Sequence, residues 1–214
     1  MDYVKLFVKQ VSTALSNVVQ TLPDISLAIL TSALLITIAT TLKLLDPRFL
    51  ILSWPQITQN HEYHRLITSF IFFGNLSLQW LMFIISNVRY LIVLERETFA
   101  TRKREFKAML VYIYLCCLLA SAFVKLPYPS LLMFNSLTYI WTRFNPNAML
   151  VIMQILPVRA QYFPFVNVVL GLAMGQSPLT GLIGIAIGHL YWVIDHVLEP
   201  IIGFNVFKKI VRAK

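Results

Sequence analysis

Long uncharged runs, each of a length to cross a lipid bilayer, restrict the folds open to this chain more than anything else in it. Residues 25–45, ISLAILTSALLITIATTLKLL, hold 21 positions and one charge, Lys43, near the far end. As a helix rising 1.5 Å per residue this run is about 30 Å long, the thickness of a hydrocarbon core, and Lys43 can snorkel to the surface. Mostly apolar runs recur over residues 76–94, 108–124, 130–141, 160–175 and 179–198. No water satisfies peptide groups inside hydrocarbon, so each run must close its own hydrogen bonds as a helix. The expectation is an all-α membrane protein, a bundle of six transmembrane helices, or five if residues 160–175 are re-entrant. As a helix that run is roughly 24 Å long, short of the core. Residues 148–156 are too few to span and read as a shallow helix or the start of a tilted one.

Composition points the same way: 58% of the 214 residues are hydrophobic and 13% charged. A soluble domain would show a polar face on most helices, whereas the central runs are apolar all round. The net charge of +9 does not indicate nucleic acid, because the bases flank apolar runs and no zinc, helix-turn-helix or RNA-binding signature accompanies them. Anionic headgroups of the lipid bilayer are the simpler partner. Cys116 and Cys117 are adjacent, which suits neither a disulfide nor a metal site. No metal and no cofactor is expected.

Residues 1–22 place Val4, Phe7, Val8, Val11 and Leu15 at three- and four-residue steps among polar positions, the pattern of an interfacial amphipathic helix. No signal-peptide pattern is read there. Pro23 then starts a transmembrane domain over 23–204, and residues 205–214 form a short basic tail. In a six-span arrangement thirteen Lys and Arg fall on the side of the termini, against Lys43, Arg48, Arg65 and Lys125 on the other. Both termini are therefore expected in the cytosol, with the loop holding His61, His64 and Arg65 across the membrane. No internal repeat supports a transporter of duplicated halves.

Two regions carry candidate function. Gln79, Ser86, Asn87 and Arg89 give the second run a polarity that needs partners or water inside a membrane. With Asn135 and Ser136 of the fourth run they are candidates for a substrate groove. In the last run Gly181, Gly184 and Gly188 share one helical face, and Gly184 to Gly188 is a GxxxG, which lets a neighbouring backbone approach. His189 follows directly. It reads either as a neutral imidazole bonded to a neighbouring helix or as the base of a catalytic pair.

Six spans, a long first loop with Arg65 before an apolar run, and a GxxxGH in the last span resemble the rhomboid superfamily. Its proteases attack with a serine in a GxSG turn of the fourth span, paired with the histidine of the last. Here LLMFNSLTYIW offers Ser136 between Asn135 and Leu137, without the flanking glycines. The closer resemblance is to the derlins, the pseudoprotease branch. It rests on LERETF (94–99), NSLTYIWTRFNP (135–146), Leu156-Pro157, YFPFVNVVLG (162–171) and LIGIAIGHLYWVIDHVLEP (182–200). The positions carrying the family pattern are His64, Arg65, Glu95, Tyr139, Trp141, Asn145, Pro146, His189 and Tyr191. Two departures stand out: His64 occupies a usual Trp position, and the residues up to Lys214 hold none of the short glycine-containing boxes by which many derlins recruit an AAA ATPase.

The resemblance implies a rhomboid-like bundle and no catalytic residues. It implies endoplasmic-reticulum-associated degradation, in which misfolded proteins pass back to the cytosol through a locally thinned membrane and a polar lateral groove. The implied partners are a membrane RING ubiquitin ligase complex, its luminal substrate-recruiting subunit and the AAA ATPase segregase, here indirectly. The alternatives are a rhomboid-type serine protease using Ser136 and His189, or a preprotein translocation component of a plastid-surrounding membrane.

Overall fold

The computed structural model describes residues 22–124, 126–152, 156–173 and 175–197, without the side chains of Gln79, Met82, Phe83, Ile85, Ser86, Asn87, Ile152 and Leu156. The expected N-terminal amphipathic helix and the tail over 205–214 lie outside the described residues.

The first apolar run forms α1, Asp24–Thr41, behind the helix-breaking Pro23. Its inner face is Ser26, Ala33, Thr37 and Thr40, while Leu35 and Ile38 point outward, 68% and 53% exposed. A helix in water does the reverse. Small and polar residues inside with leucines outside is the distribution expected where the solvent is lipid. The first loop holds a 3-10 turn at Pro47–Phe49, α2 at Trp54–Gln59 and α3 at Arg65–Ile71. Next come α4, Leu78–Val93, continuing into a π-helical turn at Leu94–Thr98, and α5, Lys103–Phe123. Along α5, Val111, Leu115 and Leu119 form an exposed stripe at four-residue steps.

Helix α6, Pro129–Phe144, starts at Pro129, whose missing N–H is no loss in a first turn. Nearly every α6 side chain is buried, Ser130, Ser136, Thr138 and Thr142 among them. Hydroxyls at such density would be costly against lipid, so this helix takes the centre. It packs against α3, α4, α5, α7 (Phe163–Ala173) and α8 (Pro178–Trp192), which runs on into a π-helical turn at Val193–Val197.

Where residues 148–156 are described they depart from the helical expectation, adding one short strand pair to a mostly helical chain. β1, Met149–Ile152, pairs antiparallel with β2, Leu156–Arg159, with Val151 opposite Pro157. Pro157 would break a helix, and Val151, Ile152 and Val158 favour an extended chain. Proline is tolerated because each strand of a two-stranded ribbon is an edge strand.

Three helical segments have the length and composition to cross a membrane: Asp24–Thr41, Lys103–Phe123 and Pro178–Val197. The helices at the expected second, fourth and fifth spans are present but shorter, with 16, 16 and 11 residues. The chain is thus a helical membrane protein in which three segments among the described residues are long and apolar enough to cross.

Candidate functional site

The closest helix pair in the bundle is α6 against α8, and glycines make it close. A Cβ at Gly184 would lie 2.5 Å from Asn135 Cβ and 3.0 Å from the Leu132 carbonyl; one at Gly188 would lie 2.8 Å from the Ser136 carbonyl. At Gly181 it would meet Val168 Cγ2 of α7 at 2.5 Å. Two of the three glycines thus admit the α6 backbone and the third admits α7. Across the seam Ser136 Oγ donates within hydrogen-bond distance of both Leu132 O and Gly184 O, at 2.9 Å each, and Ser136 is fully buried. Asn167 Nδ2 of α7 donates to Asn135 Oδ1 at 3.2 Å.

One turn further along α8, His189 Nδ1 lies 2.7 Å from Tyr139 Oη. Arg143 Nε donates to the same Tyr139 oxygen at 2.7 Å, and its guanidinium covers the rings of Tyr139 and Trp192. Arginine only donates, so Tyr139 Oη accepts from Arg143, and the direction of its contact with His189 Nδ1 follows the imidazole tautomer. Trp192 stacks on His189 from one side and on His196 from the other. Arg143 and Trp192 are contributors that the sequence reading passed over. Their signal was spacing: Arg143 stands four residues after Tyr139, and Trp192 three after His189.

The remaining motif residues hold the frame. Glu95 is buried and accepts from Ile25 N at 3.0 Å, Ser26 N at 2.8 Å and Ser26 Oγ at 2.6 Å. A carboxylate some seventy residues away in sequence therefore caps the N-terminus of α1, where the helix dipole favours it. Arg65, also buried, joins Glu62 and the carbonyls of Arg48 and Ile51. His64 Nε2 sits 3.2 Å from Phe49 O, so the first loop is tied to itself from two neighbouring side chains. Asn145 bonds back to the Trp141 carbonyl and Pro146 follows, which ends α6. Trp141 packs on Tyr90, and Tyr191 lies buried beside Tyr112. Trp54, not singled out by sequence, donates from Nε1 to Ser121 O at 2.9 Å and fastens the loop to α5.

Of the residues expected to line one groove, the three whose side chains are described, Arg89, Asn135 and Ser136, do not come together. Ser136 and the half-buried Asn135 are spent on helix contacts. Arg89 is exposed and lines a separate open groove with Leu30, Ile84, Val88, Ile92 and Val93, all from α1 and α4. Gln79, Ser86 and Asn87 lie on α4, their side chains outside the described set. Chemically, Ser136 and His189 are not paired with each other: the one Ser136 hydroxyl proton is shared between two carbonyls, and His189 is bonded to Tyr139. A nucleophile needs its base within hydrogen-bond reach and room for the attacked carbonyl. A fully buried hydroxyl has neither.

Comparison with known proteins gives the family of the chain. The model of the Der1-like family matches residues 22–208. The chain is 34% identical over 192 residues to Derlin-1.2 of Zea mays, covering 88% of this chain and 79% of that protein. It is 32% identical over 190 residues to Derlin-1 of Oryza sativa subsp. japonica, with 87% and 78% covered. With Derlin-1 of Arabidopsis thaliana it shares 30% over 190 residues, 87% and 71% covered. A match running from the first turn of α1 past the end of α8, with derlins as relatives, means that this chain belongs to the Der1-like family.

Proposed function

We propose that this protein is a non-catalytic derlin-type component of endoplasmic-reticulum-associated degradation, a multi-pass protein with both termini in the cytosol that helps misfolded proteins return there. The observation that carries the non-catalytic part is the Ser136 Oγ–H shared between Leu132 O and Gly184 O. The hydroxyl that a rhomboid protease would use is built into the helix seam instead. Membership of the derlin family supports the rest.

Six crossings remain our reading, three of them made by helices shorter than a hydrocarbon core. At 1.5 Å per residue α6 is about 24 Å long, α7 about 17 Å and α4 about 24 Å up to its charged π-helical turn, against about 30 Å of hydrocarbon. A bilayer thins around such helices, which lowers the several kcal/mol that each unsatisfied backbone group costs on crossing. The partners in this reading are a membrane RING ubiquitin ligase, a luminal subunit that delivers misfolded substrate, and an AAA ATPase segregase reached through other subunits.

A chase of a misfolded luminal protein tests the reading in cells lacking this chain. Substrate half-life lengthens on deletion and returns to normal with the wild type and with Ser136→Ala alike, and ubiquitin ligase subunits co-purify in gentle detergent. A fluorophosphonate label on the wild type that vanishes in Ser136→Ala would establish a protease instead.

A further inference from the structure

The groove between α1 and α4 is separate from the α6–α8 seam. Its cavity of about 310 Å³ is lined by Leu30, Ile84, Val88, Arg89, Ile92 and Val93. Five of these are aliphatic. The sixth is an exposed arginine that makes no hydrogen bond or ion pair with any described residue. A guanidinium among leucine, valine and isoleucine on a membrane helix is costly unless it meets an anion or reaches the headgroups.

Its position on α4 favours both at once. Arg89 stands six residues before Glu95, roughly 9 Å along the helix, and Leu30 six residues beyond Asp24 on α1, the same depth. Glu95 bonds the first turn of α1 and so marks the end of the bundle. An arginine side chain can snorkel over part of that distance, leaving its aliphatic part along the groove while a lipid phosphate dips to meet its charge. Exposed Arg96, Arg102, Lys103 and Arg104 follow at the same end and add to the positive field. A cavity of this volume falls at the small end of the ~300–1,000 Å³ range of ligand pockets. A helix with side chains, about 10 Å across, is too broad to enter it.

We propose that this groove binds one anionic phospholipid, its phosphate against the Arg89 guanidinium and an acyl chain along Leu30, Val88, Ile92 and Val93. Guanidinium and phosphate pair through parallel N–H donors, the geometry for which arginine is better suited than lysine. That the lipid comes from the cytosolic leaflet rests on the orientation given under Proposed function. The site itself does not.

The test uses the full chain in nanodiscs of phosphatidylcholine with one part in about ten of phosphatidylserine, a composition in which preference is visible by mass action. Native mass spectrometry should find one phosphatidylserine retained at about five-fold or more above its bulk share. Arg89→Gln should reduce it to the bulk share, Arg89→Lys should keep part of it, and Leu30→Trp, which fills the groove, should also reduce it. Retention at the bulk share by the wild type overturns the proposal, as does enrichment that survives either Arg89→Gln or Leu30→Trp. Should a variant fold poorly, the wild type decides through its thermal midpoint, which must rise with phosphatidylserine and not with added phosphatidylcholine. None of these readings involves substrate turnover, so failure here and failure of the degradation role are separate results.

Discussion

At the residue scale, the side chains that make this fold recognisable act chiefly as long-range hydrogen-bond partners. Glu95 is the clearest case, because the first turn of α1 has no side-chain cap of its own. Its carboxylate meets two backbone N–H groups and the Ser26 hydroxyl. Removing a partner from buried donors costs about 1–3 kcal/mol, the desolvation left uncompensated. Glu95→Ala is therefore expected to lower stability by that amount, measured as the unfolding midpoint in detergent. Ser26→Ala leaves both N–H contacts in place and should cost under about 1 kcal/mol, near the average for polar contacts in membrane proteins. Among the described residues Ser26 Oγ bonds only to Glu95, so the double variant should be no less stable than Glu95→Ala alone. Full additivity of the two losses would contradict the arrangement. Ser136→Ala belongs at this scale too: it should keep substrate turnover while losing at most about 1–2 kcal/mol from the seam.

At the element scale, the seam between α6 and α8 depends on what each glycine faces. The added Cβ at Gly188 meets the Ser136 carbonyl and that at Gly184 meets Asn135 Cβ and the Leu132 carbonyl, so backbone must move. At Gly181 the neighbour is one methyl of Val168. Overpacking costs typically about 1–3 kcal/mol, and Gly184→Ala and Gly188→Ala should fall at the upper end, with Gly181→Ala milder. Combining Gly181→Ala with Val168→Ala should recover most of the loss, whereas trimming Asn135 to Ala beside Gly184→Ala should recover little because the Cβ at 135 and the Leu132 carbonyl both remain. Thermal midpoints of the five variants check this ranking; equal losses at all three glycines would contradict it.

At the scale of the whole molecule, long and short helices share one bundle. α5 is 21 residues and α7 only 11, so a flat bilayer cannot match both. Mismatch costs fractions of a kcal/mol per ångström and is relieved by local thinning. The purified protein should therefore be most stable in bilayers close to about 27 Å of hydrocarbon and lose stability progressively above about 32 Å. Thermal midpoints in nanodiscs of graded acyl length measure this, and a flat response would remove the physical basis of the thinning mechanism.

Periodicity and run length by themselves determined that this chain lives in a membrane, where its helices fall to within a few residues, and which residues of α8 form the small face. These are local or composition-bound properties, set by the lipid solvent and the helical repeat. The strand pair of 149–152 and 156–159 escaped because a short apolar run looks alike as helix or strand; Pro157 and the β-branched residues were its clues. Tertiary structure alone decided which polar residues meet. Glu95 could not be matched to Ser26, nor Trp54 to Ser121, without the path of the chain, since each pair lies far apart in sequence. The same holds for Ser136. Only the approach of α8 turned a candidate nucleophile into a buried donor, because the Gly184 carbonyl comes within reach where a side chain would have kept the helices apart.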